Sequence, residues 1–224
     1  ISVDAMGGDE APDIVVGGIE PYLKRSEAVA NVSFVLHGDE AAIMPLLNKV
    51  GLSQDQCRVA HTDLAVEMDA KISHALRRGK GSSMWNTIAE VKAGTAHVGL
   101  SAGNTGALMA MSKLQLRMKT GVQRPAIAAL WPQKKGMCVV LDAGANLGCD
   151  AAQLTEFAVL GEAYYRALYG LANPTIGLLN NGTEEAKGND VVRAAHERLP
   201  SRRQYFRHGG FVETGRRCHV NVFS

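Results

Sequence analysis

The feature that most constrains this chain is a repeated pairing of short apolar runs with helix-length amphipathic stretches. Val32–Leu36 reads VSFVL, Met137–Leu141 reads MCVVL and Thr175–Leu179 reads TIGLL. Such runs are apolar on successive residues, so a strand built from them buries both faces rather than one. Stretches with helical periodicity separate them: Asp13–Lys24, Asp39–Lys49, Lys71–Arg78, Ser83–Lys92, Thr105–Met118, Gln153–Leu168 and Asn189–Arg198. Strand, helix, strand in alternation predicts βαβ units and a mostly parallel, doubly wound sheet. Ile1–Asp4, Arg58–Ala60 and Ala96–Leu100 complete the expected parallel strands. Ala126–Trp131 and Met137–Leu141 are joined by Pro-Gln-Lys-Lys-Gly, too short for a parallel crossover, and predict a hairpin. Local signals agree: Asp39 is placed to cap a helix that Gly51 ends, and Gly94 follows another.

Glycine, asparagine and aspartate gather where strands end. Asp4-Ala5-Met6-Gly7-Gly8 follows the first strand. Ser101-Ala102-Gly103-Asn104-Thr105-Gly106 follows Ala96–Leu100. Asp142-Ala143-Gly144-Ala145-Asn146 follows Met137–Leu141, and Asn180-Asn181-Gly182 follows Thr175–Leu179. One such loop is an ordinary turn. Four of them at carboxyl ends of strands predict a polar site along the rim of the sheet, where open α/β folds bind ligands.

The stretch GLSAGNTGALMA, residues 99–110, supports two chemistries. Gly99-Leu100-Ser101-Ala102-Gly103 fits the G-x-S-x-G turn of a serine hydrolase, and Ser101, Asp142 and His196 stand in the right order for a triad. His196 falls within an expected helix, however, where a hydrolase histidine sits on a loop. The second chemistry is an anion cradle. Gly103 and Gly106 let the backbone approach a ligand, and amides at the following helix start point at it. Ser101, Asn104 and Thr105 would add side-chain donors, and Lys187, in a strand-end loop just before a helix, would add positive charge. Neither G-x-G-x-x-G after a strand nor the P-loop pattern occurs; Gly79-Lys80-Gly81-Ser82 lacks the earlier glycine. His37, His61, His74, His97 and His196 stand alone and are read as surface or satisfied core histidines.

Composition narrows the function classes. A net charge of +2 over 224 residues gives no general attraction to nucleic acid or anionic lipid. The four cysteines form no C-x-x-C pair and no metal-spaced cluster, consistent with reduced thiols in the cytoplasm. No stretch approaches the roughly 20 apolar residues of a membrane span, and the first residues already read as a strand, so no signal peptide is expected. Residues 201–224 carry Arg202, Arg203, Arg207, Arg216 and Arg217 against Glu213 alone.

Taken together, ISVDAMGGDEAP, SSM at 82–84, SAGNTGA at 101–107, RPAIAA at 124–129, LDAGAN at 141–146 and EEAKGND at 184–190 closely resemble the phosphate acyltransferases of the PlsX family. The motifs occur in the family's order across residues 1–213. The resemblance implies a three-layer α/β/α fold related to phosphotransacetylases and isopropylmalate dehydrogenases. It implies a cytoplasmic enzyme of phospholipid synthesis that makes acyl-phosphate from acyl–acyl carrier protein and inorganic phosphate. It further implies a homodimer with peripheral membrane association, and neither cofactor nor metal. On this reading Lys187 is catalytic. Ser101, Gly103, Asn104, Thr105, Gly106, Asp4, Asp142, Asn146 and Asn180 bind substrate. Glu10 departs from the family, which has histidine there. Gly210-Phe211-Val212-Glu213 still resembles it, and Thr214 onward does not. The expectation is therefore a single α/β domain over 1–213, a C-terminally shortened chain with impaired activity, and an aberrant basic tail over 214–224. A serine hydrolase using Ser101 and a non-catalytic anion-binding remnant are the alternatives.

Overall fold

The computed structural model describes residues 1–24, 32–133, 136–146, 148–180, 189–199, 205–209 and 218–222, the side chains of Asn180 and of 205–209 excepted. Where the sequence predicts one domain over 1–213, contacts gather the chain into two compact units, Ile1–Arg117 and Met118–Ser224. Each has its own mostly parallel sheet flanked by helices, giving the expected α/β class with two sheets in place of one.

The first unit runs β1 (Ser2–Asp4), α1 (Asp13–Lys24), β2 (Phe34–Gly38), α2 (Glu40–Val50), β3 (Cys57–His61), α3 (Ile72–Arg78), α4 (Ser83–Ala93), β4 (Gly99–Ser101) and α5 (Thr105–Leu116). Its strands lie in the order β3-β2-β1-β4 and all neighbours are parallel. The period of two along β1 sorts its side chains. Val3 joins Val16 and Ile19 of α1 and Ile43 and Leu47 of α2 in one core. Ser2 and Asp4 take the opposite face, against which α4 packs, with α3 and α5 behind it. The result is three layers, helix, sheet, helix. Helix ends follow the sequence signals. Asp39 accepts the Ala41 amide and Gly51 closes α2 at φ 70°, while Ser82 caps α4 and Gly94 closes it at φ 75°.

The second unit runs β5 (Ala129–Gln133), β6 (Gly136–Leu141), α6 (Ala151–Tyr169), β7 (Ile176–Asn180), α7 (Asp190–Arg198), β8 (Tyr205–Gly209) and β9 (Val220–Val222). The expected hairpin is present: β5 is antiparallel to β6, while β6, β9, β7 and β8 are parallel in that order. One core joins Val139, Leu141, Leu154, Phe157, Ile176, Leu178, Val220 and Val222. Gly161 of α6 is required there, because a Cβ would lie 2.8 Å from Leu141 Cδ1. An Asp150–Gln153 capping box starts α6.

Residues 214–224 were expected to stand apart as a basic tail. The structure instead seats Val220–Val222 between β6 and β7, with the Val139 amide donating to His219 O at 2.9 Å and the His219 amide to Thr175 O at 2.9 Å. The physical reason is that Val-Asn-Val supplies two buried valines at the strand period. Of the arginines that suggested a tail, Arg202, Arg203, Arg216 and Arg217 lie outside the described residues. Among the described residues no helix is long and apolar enough to cross a membrane.

Candidate functional site

The site begins with strand register. β1 and β4 are parallel neighbours with Asp4 beside Ser101. The Ser101 hydroxyl donates to Asp4 Oδ2 at 2.7 Å and accepts the Gly103 amide at 3.0 Å. This chain ties the end of β1 to the loop after β4. The loop after β1 closes over it: at Gly7 a Cβ would lie 2.5 Å from Asp4 Oδ2 and 2.9 Å from both Gly103 N and Ser101 Oγ. Gly103 is held as tightly, since a Cβ there would lie 3.0 Å from Met84 Cε and 3.2 Å from Gly7 Cα. Three motifs separate in sequence, DAMGG, SSM and SAGNTG, thus form one packed knot.

The helix start beyond this knot is where an anion site was predicted, and the structure assigns its residues unequally. Asn104 is the N-cap of α5: its Oδ1 accepts the Ala107 amide at 2.9 Å, and its Nδ2 donates to Met68 O at 2.8 Å and Ala70 O at 3.1 Å. Its side chain is therefore used to fasten the loop before α3. The Gly103 amide is likewise engaged by Ser101. Gly106 owes its lack of a side chain to packing, because a Cβ would sit 3.0 Å from Ile72 Cδ1. What faces outward is the first turn itself, with the amides of Thr105 and Gly106 at positions that have no intrahelical carbonyl. Thr105 is exposed and brings a hydroxyl to the same place.

In the second unit, Asp142 and Asn146 also come together. Asp142 Oδ1 accepts the Ile127 amide at 2.7 Å. Its Oδ2 accepts the Asn146 amide at 2.7 Å and Asn146 Nδ2 at 2.9 Å. Asn146 Nδ2 also reaches Pro125 O at 3.0 Å. The carboxylate and amide hold RPAIAA and LDAGAN in one shape. Asn180 ends β7, with its side chain not described, and Lys187 lies outside the described residues.

The geometry of Ser101 is not that of a hydrolase elbow. Such a serine sits on a strained strand-to-helix turn. Here Ser101 is the last residue of β4 and α5 begins at Thr105. Among the described residues Arg117 is the one non-glycine with positive φ. The partners of the Ser101 hydroxyl are a carboxylate and an amide, and His196 belongs to α7 of the other unit.

Behind β1 lies a polar layer that the sequence reading passed over. His37 is buried and its Nε2 meets Ser2 Oγ at 3.0 Å. Burial lowers its pKa, against an upward pull from Glu90. Among the described residues, Asp4 Oδ1, His37 Nδ1, Ser83 Oγ and Thr87 Oγ1 are buried and find no hydrogen-bond partner. The signals were Ser2 and Asp4 alternating on a strand and Ser83 and Thr87 four apart on a helix, both periodicities that share a face. Among the described residues no group of three or more histidine, cysteine or acidic side chains is placed to hold a metal.

A family model described as "Fatty acid synthesis protein" matches residues 1–216. The chain is 52% identical over 213 residues to a phosphate acyltransferase of Maricaulis maris, the match covering 95% of this chain and 60% of that protein. It is 52% identical to the phosphate acyltransferase of Caulobacter vibrioides, covering 95% of this chain and 58% of that one. The chain thus spans about three fifths of the length of these curated relatives. In fold it is similar to the EutD phosphotransacetylase from Staphylococcus aureus, with TM-score 0.62 and 18% identity over 99% of this chain and 76% of that one. It is also similar to a branched-chain phosphotransacylase from Enterococcus faecalis, with TM-score 0.60 and 16% identity over 100% of this chain and 79% of that one.

Proposed function

The chain belongs to the fatty acid synthesis protein family, and from that premise we propose that it serves acyl transfer from the thioester of acyl–acyl carrier protein to inorganic phosphate, for phospholipid synthesis. A phosphate oxygen attacks the thioester carbonyl carbon and a tetrahedral oxyanion forms. The carbon–sulfur bond then breaks, releasing acyl-phosphate and the carrier's thiolate. Phosphate is already a nucleophile and thiolate a good leaving group, so no protein nucleophile is needed. The protein's task is to place phosphate and stabilise developing negative charge.

The observation that carries this reading is the start of α5. The Thr105 and Gly106 amides stand at a helix N-terminus, whose partial positive charge favours an anion. Ser101 and Asp4 fix the loop that leads into it, at 2.7 Å. In this reading Gly103 and Asn104 shape the cradle, Thr105 and Gly106 bind phosphate, and Lys187 supplies the cation. Asp142, Asn146 and Asn180, in the second unit, are proposed to bind substrate. Acyl carrier protein and a second copy of the chain are the proposed partners, with peripheral attachment to the membrane.

The test is an amide NMR titration of the full chain with inorganic phosphate, beside an assay that traps acyl-phosphate as hydroxamate. Thr105 and Gly106 resonances move, and Lys187→Ala lowers turnover by on the order of 100-fold or more. Covalent labelling of Ser101 by a fluorophosphonate, with phosphate shifting other amides, refutes the reading.

A further inference from the structure

The polar layer between β1 and α4 holds bonding capacity that the chain leaves unused. Ser2, Asp4, His37, Ser83 and Thr87 are each at most 3% exposed. Yet Asp4 Oδ1, His37 Nδ1, Ser83 Oγ and Thr87 Oγ1 find no hydrogen-bond partner among the described residues. A buried polar atom without a partner carries the full cost of its desolvation, and several in one layer point to a bound group that satisfies them.

Strand register and helical period bring the four groups to one place. Asp4 and His37 are partners on neighbouring parallel strands, so their side chains leave the same face of the sheet. Ser83 and Thr87 stand four apart on α4, the helix that packs on that face. Two close approaches fix how α4 lies along the strands. Thr87 Cγ2 is 3.3 Å from where a Cβ on Gly99 would sit, and Gly99 is the register partner of Ser2. Met84 Cε is 3.0 Å from the corresponding point on Gly103, beyond the end of β4. The first turn of α4 therefore lies over the Asp4 end of β1, with Thr87 one turn behind it over Ser2. His37 flanks both, since its Nε2 meets Ser2 Oγ at 3.0 Å.

Hydrogen-bond chemistry selects the ligand. Burial favours the neutral imidazole of His37. In the tautomer that gives the Nε2 proton to Ser2 Oγ, Nδ1 is a bare acceptor. Asp4 Oδ1 is a second acceptor, and the Ser83 and Thr87 hydroxyls are two donors. Two acceptors and two donors are the complement of a water molecule, which donates twice and accepts twice. A hard cation would suit the oxygens but not the imidazole nitrogen, and an anion would face the Asp4 carboxylate.

We propose that Asp4, His37, Ser83 and Thr87 together bind a single buried water that joins α4 to the ends of β1 and β2. Through it the carboxylate whose Oδ2 takes the Ser101 hydroxyl is held at its other oxygen as well. The water is thereby part of the lock at the strand ends, and the inference stands apart from the proposed reaction.

Thr87→Val tests it, because valine keeps the shape of the side chain and removes the hydroxyl. In a dry layer the substitution relieves an unpaired group, and the melting temperature holds or rises. In a layer that binds water it removes a hydrogen bond, and the melting temperature should fall by about 2–4 °C. Ser83→Ala should act likewise, and the two together should cost less than the sum of the single falls, because both act on one molecule. A crystal structure of the unsubstituted chain should show density at hydrogen-bond distance from all four groups, and the double variant should lose it. Failure of either single variant to lower the melting temperature overturns the proposal, as do strict additivity and the absence of that density. An anomalous signal at the same position in crystals grown with a thallium(I) salt marks a monovalent cation and overturns it too.

Discussion

Replacing Asn104 by alanine removes three hydrogen bonds at one residue: the cap to the Ala107 amide and the two bonds to Met68 O and Ala70 O. Loss of an N-cap costs about 1 kcal/mol, and each donor bond to a carbonyl contributes about 0.5–1 kcal/mol. The first unit should therefore lose about 2–3 kcal/mol, roughly a 30- to 140-fold fall in its folding constant. Asn104→Asp separates the contributions. An aspartate keeps the cap and gains from the helix dipole, by about 0.3–1 kcal/mol, but it cannot donate to the two carbonyls. Its net cost should be about 1 kcal/mol, smaller than alanine's and confined to the loop. Urea unfolding measures the total, and hydrogen exchange across residues 68–72 and 105–112 assigns it to loop and helix. Both substitutions should speed exchange over 68–72, and alanine alone should open the start of α5. If alanine leaves stability intact while phosphate binding falls, Asn104 is a ligand and the clamp argument is wrong.

Three further outcomes follow from the same geometry. Gly7→Ala drives a Cβ to 2.5 Å from Asp4 Oδ2; a loss of about 1–3 kcal/mol is expected, with weaker phosphate binding, read by melting and titration. Burial holds His37 below its ordinary pKa of about 6.5, so the unfolded chain takes up its proton first as pH falls. Its contribution is complete above that pH and declines below it, by at most about 1.4 kcal/mol per pH unit; His37→Gln should flatten the stability profile below about pH 6.5. Burial also pushes the Cys57 thiol to about 11 and Cys218 to about 12. At pH 8 both should resist a thiol reagent until the chain unfolds, with half-buried Cys149 reacting first.

Elements whose signals are local were legible in the sequence. Asp39 with Gly51, and Gly94 behind its helix, mark helix ends because caps act within a few residues. The β5–β6 hairpin followed from a linker too short for anything else. The division into two sheets was not legible, because strand periodicity says which residues are buried and not which strands pair. β9 was missed for the same reason in sharper form: three residues, Val-Asn-Val, cannot show a pattern, and their place between β6 and β7 is fixed by contacts with Val139 and Thr175 far earlier in the chain. At the candidate site, the letters of the strand-end loops do not reveal the roles of their residues. An asparagine that caps a helix and one that binds an anion present the same letters; only Met68 O and Ala70 O, over thirty residues away, reveal the clamp.

The locks at the strand ends bear on electrostatics. Asp142 accepts three hydrogen bonds, so its charge is dispersed among donors that hold its own loop. Asp4 is different: one oxygen takes the Ser101 hydroxyl, and the other is buried and finds no partner among the described residues. At an effective dielectric near 20, two like charges at roughly 6 Å repel by about 3 kcal/mol, so an anion bound at about that distance from Asp4 would lose what a helix N-terminus and a hydroxyl together return to it. A cradle built beside such a carboxylate holds phosphate weakly on amides alone and needs a cation to tip the balance. In the proposed reaction that requirement, rather than any nucleophile, is the reason for giving Lys187 the role of the cation. It also explains why its loss should fall on transfer and phosphate affinity together while leaving the Asp4–Ser101 lock unchanged.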